Sequence, residues 1–180
     1  MSQDTWRFIN SFAPWLSALG TFSAVMLSLH LARRDKTVRL RVAVGHRLLV
    51  TPGTPKPWPE YISINIINIG HRDAQITYIG WKIGIFHKRY AVQSIINDGL
   101  SSSLPIRLRD GEEARYMIPL NETNWLENFA LKMLSPYTSI QCRFARVQIF
   151  TSIGKTFEAP MEKSLQKKLV DATKAKNQNR

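Results

Sequence analysis

Cysteine is almost absent from the sequence: Cys142 is the single one among 180 residues. The chain therefore forms no intramolecular disulfide, and a zinc site built from several cysteines is excluded. A lone cysteine is typical of a protein in a reducing compartment. Because Cys142 lies among apolar residues of a predicted strand, Gln141 to Phe150, we predict that it is a buried structural thiol.

The motifs of common catalytic and cofactor sites are missing as well. The sequence has no glycine-rich phosphate loop and no nucleophile elbow around a serine. Metal-ligand spacing is absent from the four histidines, which are His30, His46, His71 and His87. We therefore predict no catalytic residue, no metal and no cofactor, and favour a non-enzymatic protein. An enzyme with dispersed catalytic residues is the less favoured alternative.

Acidic residues are scarce: 13 Asp and Glu stand against 25 Lys and Arg, which gives a formal charge of +12. Such an excess predicts attraction to an anionic partner, either nucleic acid or the anionic face of a membrane. The composition is otherwise ordinary, with 44% hydrophobic and 21% charged residues, and so predicts a folded domain rather than a disordered chain.

Asp, Glu, Lys and Arg are all absent between Arg7 and Arg33. The 23 residues from Ile9 to Leu31 cover about 35 Å as a helix, enough to cross a hydrocarbon core of about 30 Å. A helix is the conformation in which one such segment pairs its backbone groups in lipid. We predict a transmembrane helix over residues 9–32, behind a leader of residues 1–8 and with Pro14 in its first turns.

Two alternatives remain open for this segment. A secretory signal peptide has a positively charged start and a shorter apolar stretch, whereas here the basic cluster follows the apolar run. A buried core helix or an interfacial helix is the second alternative, because Asn10 and several Ser and Thr residues make the segment only moderately apolar. The length of the segment and its uncharged interior favour a span.

The charges that flank the helix predict its orientation. The leader offers Arg7 alone, whereas basic residues dominate the other side: Arg33, Arg34, Lys36, Arg39 and Arg41. This bias places the N-terminus outside and the following domain in the cytoplasm, as in a bacterial inner membrane. Residues 33–37 then form a basic juxtamembrane linker, and the cluster contacts anionic headgroups.

One face of the predicted helix carries small and polar residues. These recur at heptad-like spacing, and Gly20 with Ala24 adds a pair of small residues four positions apart. The residues of this face are Asn10, Ser17, Gly20, Thr21, Ala24 and Ser28. Because small residues let helices approach closely in lipid, we predict that the chain forms a homo-oligomer through this face.

Residues 38–160 alternate between apolar and polar types over short segments that turn residues separate. About seven to nine such strands at regular intervals predict a mainly β domain, either a β-sandwich or a small β-barrel. The predicted strands are Val38–Val50, Tyr61–Ile69, Ala74–Ile79, Trp81–Phe86, Ile106–Leu108, Glu113–Ile118, Gln141–Phe150 and Thr156–Ala159. We also predict a hairpin across Asp110-Gly111 and a turn at Gly154.

Two helices accompany the strands. Asn121 is a suitable N-cap for one inserted helix, which ends before Pro136. Residues 161–180 form a basic C-terminal helix and tail, with Leu165 and Leu169 as apolar positions.

A further group of basic residues lies beside aromatic ones and consists of Lys82, Lys88 and Arg89. We predict that this group, like the cluster after the helix, contacts an anionic lipid or a soluble anionic ligand. Nucleic-acid binding uses basic groups interleaved with aromatic ones, and the fit of this group to that pattern is looser.

These features favour a membrane-anchored, self-associating, non-enzymatic protein whose cytoplasmic β domain binds a ligand or a protein partner. A second hypothesis is a membrane-disrupting effector controlled by the β domain. A short anchor on a β-rich domain resembles, in architecture alone, some membrane effectors of bacterial anti-phage defence. A third hypothesis is a nucleic-acid-binding basic domain tethered to the membrane.

Overall fold

The computed structural model describes residues 3–35, 37–50, 52–53, 56–84, 87–96, 99–120, 124–134 and 138–178. The chain divides into two compact units, Met1–Thr37 and Val38–Arg180. The first unit contains one helix, and the second contains the strands and the remaining helices.

Helix α1 spans Gln3–Asp35 and is longer than the predicted segment 9–32. It includes most of the predicted leader and the start of the predicted linker, because no residue there breaks a helix. Pro14 therefore lies well inside α1, and its predicted place in the first turns was wrong. The window Phe12–Arg33 is long and apolar enough to cross a membrane. Signal sequences and buried core helices also meet this criterion of length and composition.

The second unit contains two antiparallel sheets. The first sheet has the order β1-β2-β6, and the second has the order β4-β3-β7-β8, with β5 also paired to β3. The strands are β1 Leu40–Leu48, β2 Glu60–Asn68, β3 Ala74–Ile83, β4 Arg89–Gln93, β5 Ile106–Leu108, β6 Glu113–Pro119, β7 Arg146–Thr151 and β8 Thr156–Pro160. The predicted mainly β domain that follows an apolar helix is therefore confirmed.

One hydrophobic core joins the two sheets. Alternation along β2 places Ile62, Ile64 and Ile66 on the core face, and all three are fully buried. Trp81 of β3 and Tyr116 of β6 belong to the same cluster. The sheets thus stabilise each other through apolar burial, at roughly 25 cal/mol for each Å² removed from water.

Two helices were predicted after residue 120, whereas the described part of that region contains four helical segments if a π-helical turn is counted. They are α2 Trp125–Phe129, the π-helical turn Ala130–Leu134, α3 Thr138–Phe144 and α4 Lys163–Gln178. Asn124, rather than Asn121, precedes α2, and Asn121 and Pro136 lie outside the described residues. Leu165 and Leu169 of α4 are fully buried, so this helix forms part of the core.

The predicted strand Gln141–Phe150 was wrong over its first half. Helix α3 takes residues 138–144, and β7 begins at Arg146. Thr138 and Cys142 are buried four positions apart, which is the spacing of a helix face. Cys142 is a buried free thiol, as predicted, and burial raises its pKa to about 11.

The predicted strand Ala74–Ile79 and the first residues of the predicted strand Trp81–Phe86 belong to one strand in the structure, because β3 continues through Gly80. A Cβ at Gly80 would lie 2.8 Å from the carbonyl oxygen of Ala91 and 3.3 Å from the ring of Phe150. This glycine therefore permits a close approach of neighbouring strands rather than ending a strand. Strand β4, which contains Ala91, was not predicted.

The predicted hairpin across Asp110-Gly111 was wrong. Strand β5 pairs with β3 in one sheet, whereas β6 pairs with β2 in the other. The turn at Gly111, with φ at +77°, carries the chain from one sheet to the next. The turn at Gly154 does join paired strands, β7 and β8, and its prediction is confirmed.

Asn68 connects the ends of these strands and is completely buried. Its side-chain NH₂ donates to the carbonyl oxygens of Arg72 at 2.9 Å and Leu108 at 3.1 Å. Its side-chain oxygen accepts from the backbone N–H of Gly70 at 3.1 Å. Its backbone also bonds to the turn after β5, through Gly111 and Glu112. One amide thus satisfies backbone groups from several connections at once.

We expect Asn68→Ala to lower the free energy of unfolding by about 2–4 kcal/mol, because it leaves buried backbone groups without partners. The matched control is Asn65→Ala on the same strand, whose side-chain oxygen has no hydrogen-bond partner among the described residues. The control should cost about 0.5 kcal/mol or less. Denaturant unfolding of the full chain in detergent measures both values. Equal costs for the two variants would contradict the role assigned to Asn68.

Candidate anion-binding site

Three arginines lie on the outer face of the first sheet, and we call this surface the arginine face. It consists of Arg41, Arg47 and Arg115 with the residues between them. A cavity of about 320 Å³ opens there, lined by Ala43, Arg47, Ser63, Asn65, Arg115 and Met117. Among the described residues of this lining there is no carboxylate.

Strand register brings these side chains together. Asn65 of β2 pairs with Ala43 of β1 on one side and with Arg115 of β6 on the other. Because side chains alternate along a strand, positions two residues apart share a face. Arg41, Ala43 and Arg47 therefore project from β1 on the side opposite the core.

Arg47 is held by a carboxylate at the rim of the face. Its two terminal nitrogens donate to the two carboxylate oxygens of Glu162, each at 2.8 Å. Gly45 leaves room for this pair, since a Cβ there would overlap the Arg47 guanidinium and the Glu162 carboxylate. Bonding to Arg47 lowers the pKa of Glu162, and the same contact raises the pKa of Arg47.

Arg115 is more accessible than Arg47. Its guanidinium donates to Glu113 at 2.8 Å, and its side chain is 60% exposed. Arg41 is exposed at the other end of the face. Beside them, the side-chain oxygen of Asn65 is buried and has no hydrogen-bond partner in the described part of the chain. Three cations thus face two carboxylates, which leaves an excess of positive charge.

Two serines bond to the backbone of β6 at Arg115 and Met117, which line the cavity. The backbone N–H of Ser102 donates to the carbonyl oxygen of Arg115 at 2.8 Å. The hydroxyl of Ser101 accepts from the backbone N–H of Met117 at 3.0 Å. These two serines precede β5, and their hydrogen bonds therefore hold the backbone of β6 in place around Arg115.

The structure distributes the predicted cations over different surfaces. Arg41 belongs to the arginine face, and Lys82 lies on the second sheet, where it donates to Glu158 at 2.7 Å. Arg89 of β4 donates to the side-chain oxygen of Gln141 at 2.9 Å. The other five predicted cations are placed as follows: Arg33, Arg39 and Lys88 are exposed, and the side chains of Arg34 and Lys36 lie outside the described residues. In the second unit, Arg41 lies on a different sheet from Lys82 and Arg89, so these three cations do not form one common site.

The predicted association face lies along α1. Ser17, Thr21, Ala24 and Ser28 are exposed on the helix, as is Gly20. The hydroxyl of Thr21 donates to the carbonyl oxygen of Ser17 at 2.9 Å, so it is satisfied within its own helix. Nothing is described for the side chain of Asn10.

Four polar residues that line the cavity were not predicted from the sequence: Arg47, Ser63, Asn65 and Arg115. Alternation along the predicted strands does place Arg47 with Arg41, and Ser63 with Asn65. Their assembly with Arg115 depends on β2 lying between β1 and β6, which strand periodicity does not reveal.

Two other cavities are less suited to an anion. One, of about 190 Å³, is mainly apolar and includes Trp125 and Gln93. The side-chain oxygen of Gln93 accepts from both Trp81 at 2.9 Å and Trp125 at 3.1 Å, which ties an aromatic cluster together. The other, of about 410 Å³, contains a carboxylate, Asp73, in its lining. Among the described residues, His, Cys, Asp and Glu do not gather in groups of three that could hold a metal.

No protein-family model and no curated protein matches this chain. A crystal structure of a protein named ApaA from Bordetella pertussis is 17% identical with a TM-score of 0.33, and the match covers 71% of this chain and 91% of that chain. The X-ray structure of the structural-genomics target SoR45 is 11% identical with a TM-score of 0.32, covering 71% and 84% of the two chains.

We expect the Arg47–Glu162 pair to make stability depend on pH in the acid range. Because the folded pKa of Glu162 lies below its ordinary value of 4.5, the pair stabilises the fold fully above that value. The stabilisation is lost as the pH falls through the lowered folded pKa. Unfolding free energies measured between pH 7 and pH 3 should therefore fall less steeply in Glu162→Gln than in the wild type.

Gly45→Ala provides a second perturbation of the same pair, because it displaces the two side chains without removing either charge. It should flatten the acid dependence in the same direction. An unchanged slope in both variants would contradict the role given to the pair.

Proposed function

We propose that this chain is a membrane-anchored, self-associating, non-enzymatic protein whose cytoplasmic domain binds an anionic ligand on the arginine face. The observation that carries the proposal is the cavity between Arg47 and Arg115, whose lining, as far as the structure describes it, contains two arginines and no carboxylate. Its volume of about 320 Å³ falls in the usual range of small-ligand sites, roughly 300–1,000 Å³.

The chemistry of the face supports an anion with phosphate or carboxylate groups. Guanidinium groups offer paired N–H donors that match both kinds of oxyanion. Glu113 and Glu162 hold the arginines in place and compete with the ligand for the same donors. The side-chain oxygen of Asn65, which has no hydrogen-bond partner among the described residues, would accept a hydrogen bond from a protonated ligand oxygen or an amino group of the ligand.

The anchor in this proposal is α1, with its N-terminus outside the membrane. Its apolar window and the basic residues that follow support this orientation. Lys36 and Thr37 alone separate α1 from the second unit, so the tether is short. Anionic headgroups and the basic residues from Arg33 to Arg41 then attract each other.

Self-association in this proposal uses the small residues of α1. Ser17, Ala24 and Ser28 permit close helix approach, and Thr21 presents its methyl group because its hydroxyl is bonded within the helix. Packing contacts between small residues would therefore hold the helices together.

We expect Arg115→Ala to weaken the binding of pyrophosphate to the full chain by about tenfold or more, since charged hydrogen bonds are lost. Arg41→Ala should weaken it by a smaller factor. The matched control is Arg107→Ala, an exposed arginine of β5 that pairs with Asp73, and it should leave the affinity unchanged. Isothermal titration calorimetry in detergent gives the three constants. Failure of the wild type to bind, or equal affinity in all variants, would contradict the proposed site.

We expect single cysteines at Ser17, Thr21, Ala24 and Ser28 to form disulfide-linked dimers in membranes. Helical geometry places Leu19 and Met26 on the opposite side of α1, so cysteines there serve as matched controls and should crosslink much less. The native Cys142 gives little background because it is buried. Non-reducing electrophoresis after mild oxidation measures the yields. Equal yields on both sides of the helix would exclude the predicted face.

A further inference from the structure

The edges of the two sheets are covered in different ways. At β1, the backbone N–H of Glu162 donates to the carbonyl oxygen of Val44 at 2.8 Å. At β6, the backbone N–H of Ser102 donates to the carbonyl oxygen of Arg115 at 2.8 Å. Strand β8 ends at Pro160, which has no backbone N–H to donate to a further strand.

Strand β4 differs from these edges. Its residues Tyr90, Ala91 and Val92 pair with β3 on one side. On the other side they have no hydrogen-bonding neighbour within the described residues. We call these three residues the open edge. Unpaired backbone groups at a sheet edge can pair with another extended chain.

The open edge carries exposed apolar side chains, for which contact with another chain is more favourable than contact with water. Tyr90 is 63% exposed and Val92 is 73% exposed, and both lie on the outer face of the second sheet. Natural edge strands are commonly protected by charged side chains or by cover from another segment. Here a large aromatic and a β-branched side chain, both strand formers, stand uncovered beside open backbone groups.

Charge around the open edge is positive. Lys82 pairs in register with Tyr90 on one side and with Arg146 on the other, which forms a row across the sheet. Glu158 faces both cations, and its interactions with Lys82 lower its pKa. Lys88, which precedes β4, is exposed. The surroundings therefore keep an excess of cations after the contact with Glu158 is counted.

We propose that the open edge binds an extended acidic segment of a partner protein as an added strand. The backbone of β4 would supply the pairing, Tyr90 and Val92 the apolar contact, and the cations around them the preference for acidic residues. A second copy of this chain fits less well, since it would bring its own cations against this row. The proposal is independent of the arginine face, which lies on the other sheet.

A blocked eight-residue peptide of alternating valine and glutamate serves as the probe. We expect it to slow amide hydrogen exchange of residues 89–93 in the full chain in detergent by about tenfold or more, because new backbone hydrogen bonds must open before exchange. The same peptide with alternate amides N-methylated should give no protection. A valine–lysine peptide should give none either.

Val92→Asp should weaken peptide binding by about tenfold, since it places a negative charge beside an acidic strand. Ile153→Asp is the matched control, because Ile153 is an exposed apolar residue in the β7–β8 turn, and it should bind the peptide as the wild type does. Arg115→Ala should also bind the peptide normally, which separates this site from the arginine face. Thermal unfolding shows whether the variants remain folded.

Several results would overturn the proposal. They include absence of protection at residues 89–93, protection at residues 113–119 instead, and equal protection by the N-methylated peptide. Protection that grows with protein concentration without peptide would assign the edge to a second copy. Stronger protection by single-stranded DNA than by the acidic peptide would assign it to nucleic acid.

Discussion

The buried side-chain amide of Asn68 stabilises the connection through which the chain passes from one sheet to the other. The chain enters β5 in one sheet and leaves it for β6 in the other, and its turn residues bond to the backbone of Asn68. The side chain at the same time satisfies the carbonyl oxygens of Arg72 and Leu108. Since β2 ends at Asn68 and lies between β1 and β6, this contact also secures the register that assembles the arginine face.

A few carboxylates form ion pairs with some of the basic residues and so fix the positions of their side chains. Glu162 holds Arg47 at the arginine face, and Glu158 holds Lys82 on the second sheet. Each pair orders a cation at an exposed rim without removing the surrounding positive charge. Pairs of this kind add little to stability at exposed positions, and in the proposed function their role is to position donors for the anion. The two proposals therefore use separate surfaces, one on each sheet: the arginine face for a small anion and the open edge for an acidic strand.

Local patterns predicted much of the fold. Alternation at Ile62, Ile64 and Ile66 identified β2, and the uncharged run before Arg33 identified α1. The predictions failed where contacts between segments distant in sequence determine the structure. A turn signal such as Asp110-Gly111 predicts a reversal of the chain, but it does not predict which strand pairs with the segments on either side of the turn. Gly80 was interpreted as the end of a strand, whereas it lies within β3 and permits the close approach of the neighbouring strand β4. Likewise, Arg47 and Arg115 lie on the same cavity only because β2 pairs with both β1 and β6, and the sequence of a single strand does not predict this strand order.

The proposed function depends on one topology, in which α1 crosses the membrane and the second unit lies on the cytoplasmic side. Its most direct test uses cells that express the full chain with a C-terminal tag, treated with alkaline carbonate and, separately, with external protease as spheroplasts. The tag should remain in the carbonate-washed membrane, should resist the protease until the membrane is lysed, and should be joined to an uncleaved N-terminus. Release of the tag by carbonate, its digestion in intact spheroplasts, or removal of the residues of α1 would contradict the claim.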